Sequence, residues 1–310
     1  MAIASLLAVI DGPGEATVEF WQHIAFLETE QLVDVARHAE GAGFTGMITA
    51  DHQIFPRTLR SKYPYTDDGA PMWSPETPWP DSWCLISAMA AATTTLRFTN
   101  SVYIAPARNL FTVAKLVATA AVISRGRVSM GVGAGWMKEE FDLHHTDFST
   151  RGRRLDEMID ALRVLWHPGW CEFHGEFYDF DELMMSPWPP EEVPIFAGGV
   201  SNAAVRRAVN RCDGWLGEGA RSLTEVLAWT ARLRAERASS ERADRPFTIL
   251  TAVGEALTPG VVHQLEDAGV TGLVCAPWMT AEVIEGNFRS TLDVKLAAID
   301  EFAENIIGQV

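Results

Sequence analysis

The sequence predicts an α/β protein, a closed (β/α)8 TIM barrel, on three observations. Short apolar, β-branched stretches alternate with helix-length stretches, which implies a parallel sheet. Eight such pairs can be counted with none missing, which favours a closed barrel over an open doubly wound sheet. The chain has 310 residues, long for one ordinary domain but usual for a barrel of about 250 residues with insertions. No linker, repeat or low-complexity stretch divides it, so residues 1–310 form one domain with a long insertion after strand two and a small hairpin after helix four.

In order along the chain, Ser5–Ile10 reads as the first strand. Glu28–Gly43 follows as a helix, with Leu32, Val35, Ala36 and Ala39 on one face and glycines at its exit. Gly46–Ala50 is the second strand; after a loop come an apolar helix over Asp81–Thr94, a third strand over Arg97–Ile104 and a third helix over Leu110–Ser124. Arg127–Val132 alternates and carries β-branched residues, the mark of strand four. Ser149 or Thr150 can cap the helix that follows, whose buried stripe is Leu155, Met158, Ile159, Leu162 and Leu165. Trp170–Phe180 reads as the hairpin, outside the barrel count. Val193–Ala197, Gly214–Leu216, Phe247–Val253 and Gly272–Ala276 supply strands five to eight, Arg221–Arg245 a solvated outer helix, and a last helix starts near Ala281.

The formal charge of −16 argues against nucleic acid or an anionic membrane as partner. An anionic ligand must therefore be held by local basic groups or backbone N–H groups. Cys84, Cys171, Cys212 and Cys275 are scattered without a C-x-x-C pair and read as buried, reduced thiols. The apolar run Ala2–Ile10 is short and lacks a basic flank, no apolar run reaches 18 residues, and a cytoplasmic protein is expected. His144 and His145 read as loop surface, and no cluster at ligand spacing suggests a metal.

Active sites of such barrels lie past the C-terminal ends of the strands. There, Gly131, Gly133 and Gly135 remove every second side chain where strand four ends. A dinucleotide fingerprint needs G-x-G-x-x-G opening at once into a helix. Here the spacing is G-x-G-x-G with a long polar loop behind it, which leaves a tight turn or a strand end that a flat ligand approaches. Past strand two stand Asp51 and His52; the imidazole titrates near neutrality and can move a proton, with Asp51 orienting the ring or touching a cofactor. Gln53–Pro80 is too long and too aromatic for an ordinary connection, and reads as a lid whose Tyr63, Tyr65, Trp73 and Trp79, with Trp136, wall a substrate pocket. Gly198, Gly199, Val200 and Ser201 precede a helix start, an anion site to which Arg206 and Arg207 could add charge. Arg151, Arg153 and Arg154 oppose the dipole of helix four, with Asp156, Glu157 or Glu139–Glu140 expected to neutralise them.

GRVSMGVGAGW, then EEF, then DFSTRGRRLDEMIDALRVLW resembles the bacterial luciferase-like monooxygenase superfamily, and within it the branch of oxidoreductases that use the deazaflavin coenzyme F420. The resemblance implies that Asp51 and His52 are the active-site pair and that Ser101–Val102 is a non-prolyl cis peptide beneath the cofactor ring, alongside Ala134 and Gly135. It also implies that Gly198–Ser201 and the Asp213–Gly217 stretch hold the cofactor phosphate. Trp136 stands where sugar-phosphate-oxidising relatives carry a glutamate, and Ala134 where luciferase proper has a phosphate-binding arginine. The expected function is hydride transfer between F420 and a small, apolar organic substrate, in a homodimer. The alternatives are a monooxygenase using reduced FMN from a separate cofactor reductase together with oxygen, and a non-catalytic flavin-binding protein.

Overall fold

The computed structural model describes residues 18–279 and 288–310. Eight parallel strands form a nearly closed barrel with helices outside it. The segment Ser5–Ile10 lies outside the described residues, and the first barrel strand is β1 (Glu19–His23). It pairs in parallel with β2 (Gly46–Thr49), and on its other side with β10 (Gly272–Cys275). Sequence reading passed over Glu19–His23 because most of it is buried, so no polar alternation marks it. Beyond β2 lies β3 (Arg97–Asn100), and the series continues from β10 through β9 (Thr248–Val253), β8 (Gly214–Arg221) and β7 (Ile195–Gly198) to β4 (Met130–Val132). Two isolated parallel bridges, Phe98 to Val128 and Tyr103 to Val132, bring β3 against β4. The antiparallel pair β5 (Cys171–His174) and β6 (Asp179–Leu183) is the expected hairpin.

The helices are α1 (Leu32–Gly41), α2 (Ser82–Ala91), α3 (Leu110–Ser124), α4 (Lys138–Leu143), α5 (Arg151–Leu165), α6 (Asn202–Arg211), α7 (Leu223–Ala238), α8 (Pro259–Ala268) and α9 (Leu292–Asn305). The start of the last helix expected near Ala281 falls outside the described residues. The five stripe residues of α5 are all buried. Its expected cap is corrected: neither Ser149 nor Thr150 caps it, because Asp147 draws in the Ser149 N–H at 2.9 Å and a 3-10 turn over Phe148–Thr150 leads into the helix. The arginines are also satisfied differently. Arg153 pairs with Glu176 of the hairpin turn, Arg151 donates to the carbonyls of Gly135 and Phe148, and Arg154 donates to Thr150 Oγ1. Asp156 instead holds Arg207, and Glu157 accepts the N–H groups of Phe177 and Tyr178.

Most apolar burial lies between sheet and helices, while Trp21, Ile48, Phe196, Leu216 and Leu250 fill the barrel itself. Cys212 and Cys275 are buried as expected, but that expectation is corrected for Cys84, exposed on α2, and Cys171, half-buried on the hairpin. At its N-terminal end Glu19 accepts from Trp21 Nε1 at 2.9 Å and from Arg97 Nη1 at 2.5 Å, and the Arg97 guanidinium lies 5.3 Å from the Trp21 ring centre. A Cβ on Gly46 would collide with that indole, so the glycine makes room for the largest side chain of the interior. With that end plugged, a ligand has the C-terminal mouth to enter. Among the described residues no helix is long and apolar enough to cross a membrane.

Candidate active site at the barrel mouth

The end of β2 delivers Asp51 and His52 to the mouth, but to different partners. Asp51 is buried and takes the Arg108 guanidinium on both oxygens at 2.8 Å, with the Ile104 N–H donating at 2.9 Å. Burial pushes its carboxyl upward, and Arg108 and the Ile104 N–H counter that push. The expectation that Asp51 orients the His52 ring is corrected: the partner of that ring is Glu140, with Nδ1 and Oε1 3.2 Å apart. The same Oε1 accepts the Gln53 N–H at 2.7 Å, and the Glu140 side chain is 3% exposed. The sequence offers Glu139–Glu140 only as one alternative, beside Asp156 and Glu157, for neutralising the arginines of α5. That α4 turns Glu140 towards β2 is a long-range fact that spacing along the chain does not carry.

Three tryptophans surround the His52 ring. Trp73 lies at 5.0 Å and 32°, Trp79 at 4.9 Å and 87°, and Trp136 at 5.6 Å and 77°. Trp73 and Trp79 come from the lid, which carries no helix or strand over Gln53–Pro80. Tyr63 and Trp73 are buried in a cluster with Phe288 against which Phe26, Phe55 and Trp136 pack, while Tyr65 stays exposed beside Tyr63. Burial pushes the Tyr63 hydroxyl up to about 12. The lid is fastened to α4: Glu139 accepts the Arg60 N–H and the Ser61 hydroxyl, both at 2.7 Å, and Ser61 Oγ accepts the Lys138 N–H at 2.9 Å. Outside the cluster a cleft of about 230 Å³ runs between Phe26, Trp73 and Phe288 and the polar Glu76 and Arg289.

The turn after β3 packs against the ends of β4 and β7 and forms a floor there. The Ser101–Val102 peptide is cis. A Cβ on Gly133 or on Gly198 would overlap the Val102 side chain, and one on Gly135 would press on Ile104 and Phe141. These glycines thus admit protein side chains, which modifies the expectation that their bareness serves a ligand's face. Ala134, Gly135 and Trp136 remain half-buried at the rim.

Beyond β7 the chain turns through Gly199 at φ 105°, a conformation that disfavours a side chain, and Trp215 Nε1 donates to the Gly199 carbonyl at 2.9 Å. Ser201 caps α6 by accepting the Ala204 N–H at 3.2 Å, and Ser201, Asn202 and Ala203 are exposed. The first turn of α6 therefore meets solvent with its positive dipole end. Arg206 is exposed beside it, whereas Arg207 is buried against Asp156 Oδ1 at 2.6 Å and the Gly152 carbonyl at 3.0 Å, and adds no charge there. Gly217, half-buried on β8, backs onto Thr251.

One mouth residue escaped the sequence reading. His23 ends β1 two positions after Trp21, so strand alternation aims it along the barrel interior towards the mouth. It is half-buried in solvent terms but densely surrounded, and burial pushes its imidazole down to about 4, neutral at physiological pH. Its strand had been placed elsewhere, so nothing marked it. Among the described residues no group of three or more His, Cys, Asp or Glu side chains is arranged to hold a metal.

Comparisons with known proteins bear on the family and the fold. A family model for luciferase-like monooxygenases matches residues 11–258. An uncharacterized protein of Mycobacterium tuberculosis is 35% identical over 280 residues, covering 90% of this chain and 95% of its own. An FMNH2-dependent dimethylsulfone monooxygenase of Pseudomonas fluorescens is 28% identical over 235 residues, 71% of this chain and 64% of its own. Among solved structures, an F420-dependent secondary alcohol dehydrogenase in complex with an F420–acetone adduct superposes with a TM-score of 0.68 at 15% identity, covering 96% of this chain and 100% of that one, a likeness of fold.

Proposed function

The chain belongs to the luciferase-like monooxygenase family, and from that premise we propose that it is an oxidoreductase passing a hydride between the deazaflavin F420 and a small, apolar organic substrate. The observation that carries this reading is the mouth itself, where the strand ends carry an imidazole ringed by Trp73, Trp79 and Trp136, the Ser101–Val102 turn against which Gly133 and Gly198 pack, and the exposed start of α6.

The residues present fit a flat ring with an anionic tail. Val102, Ser101 and the Ala134–Gly135 rim would lie along the ring. The Gly198–Ser201 turn and the first N–H groups of α6 would take the phosphate, with Gly217 behind them, through a dipole and backbone donors that need no lysine or arginine. When bound, the deazaflavin supplies or accepts the hydride. His52 would hold the accompanying proton, the lid aromatics would exclude water, and Asp51 acts at one remove, fixing the Ile104 turn through Arg108. The aromatic lining suits an apolar substrate.

The second reading, a monooxygenase using reduced FMN and oxygen, is favoured by the relative from Pseudomonas fluorescens. Titrating the protein with F420 and with FMN, following tryptophan fluorescence from the cage, separates the two. F420 should bind more tightly, because Ala134 offers no arginine to a flavin phosphate. Equal affinities, or tighter FMN binding, would replace the first reading by the second.

A further inference from the structure

The His52–Glu140 contact sets which nitrogen of the imidazole faces the site. Glu140 is buried, and among the described residues no lysine or arginine is hydrogen-bonded to it. A buried carboxylate needs hydrogen bonds or a counter-charge, since leaving it unpaired is costly. Its neighbour Asp51 has Arg108, bidentate, and the Ile104 N–H. Glu140 has the Gln53 N–H at 2.7 Å and His52 Nδ1 at 3.2 Å, both on Oε1.

The geometry of that oxygen fixes the proton. Oε1 already accepts from an amide N–H, so it carries no hydrogen on that side and acts as an acceptor. An unprotonated Nδ1 at 3.2 Å would set a nitrogen lone pair against an oxygen lone pair. The contact is favourable with the proton on Nδ1, donated to Glu140. In the neutral ring Nε2 then carries the lone pair.

We propose that Glu140 is the positioning residue for His52, holding the proton on Nδ1 so that Nε2 is the atom that receives or returns a proton within the tryptophan cage. The same α4 turn also fastens the lid through Glu139. The element that closes the cage and the element that sets the tautomer are therefore one. This rests on the proposed function for its catalytic meaning, but the tautomer itself does not depend on any cofactor or substrate.

The test uses the full chain labelled with 15N-histidine. Long-range 1H–15N correlations are recorded near and above neutral pH, with His52 assigned by the signal lost in His52→Asn. In the parent, His52 should show the Nδ1–H tautomer. In Glu140→Ala the acceptor beside Nδ1 is gone, and the proton should move to Nε2, since the hydrogen bond made by one ring nitrogen decides which of the two is protonated. Turnover should then fall about 10²-fold, the lower end of what proton transfer contributes, with KM changed little. Glu140→Asp, which keeps the charge on a shorter arm, should retain the Nδ1–H signal in part and recover part of the rate. An Nε2–H tautomer in the parent, or a signal unmoved in Glu140→Ala, would overturn the proposal even if no variant folds well enough for kinetics. If His52→Asn leaves turnover intact while the tautomer is as stated, the catalytic reading fails and the positioning does not.

Discussion

Arg108 grips Asp51 through both carboxylate oxygens at 2.8 Å, eight residues past the end of the strand beside the one that presents Asp51, and the same guanidinium donates to the Ile104 carbonyl at 2.9 Å. Both side chains are under 10% exposed. The pair ties the turn after β3 to the end of β2, beneath the proposed ring site. Removing one member leaves a buried charge. Arg108→Ala should therefore cost about 3–5 kcal/mol of stability, read as a lower midpoint in urea denaturation. A loss below about 1 kcal/mol, the scale of a surface pair, would show that water reaches the carboxylate.

His52→Ala should leave cofactor affinity within a few-fold and lower turnover by roughly 10² to 10⁴. The competing account makes His52 a packing residue for Trp73 and Trp79, which it contacts at 5.0 and 4.9 Å. That account predicts a lower melting temperature and a raised KM with the pH–rate profile unchanged. Steady-state kinetics across pH separates them.

Gly198→Ala should destabilise by about 1–3 kcal/mol, since its new methyl would overlap Val102 and force the floor to shift. Val102→Ala in the same chain should recover part of that loss, because the obstructing carbon is gone. A double-mutant cycle in denaturant measures the coupling, and strict additivity of the two losses would contradict the packing described.

The pH dependence has a definite sign at His23. Its folded-state value is depressed from 6.5 to about 4, so the folded ring stays neutral while the unfolded chain takes up a proton. Above the unfolded value the residue contributes nothing to pH dependence. As pH falls from 6.5 towards 4 stability should drop, by about 2 kcal/mol once the shift is discounted for partial exposure. Stability curves of the parent and His23→Gln should converge above neutrality relative to their difference near pH 4.5, with the parent losing more. Parallel curves would mean the ring is solvated.

The sequence by itself determined the barrel, because strand and helix periods are local properties and eight alternations leave few topologies. It also placed the hairpin over Trp170–Phe180, α3 over Leu110–Ser124, the buried stripe of α5 and, through resemblance, the cis bond at Ser101–Val102. Only the tertiary structure decided who pairs with whom at the mouth. Glu140 lies 88 residues from His52, and Arg108 lies 57 from Asp51. A carboxylate's partner is whichever donor the fold brings within about 3 Å, and no spacing along the chain encodes that distance. The same reason turned Arg207 away from the α6 start and Gly133 towards Val102. Likewise β1 was hidden, since a short strand buried on both faces loses the alternation that would announce it, and His23 was hidden with it.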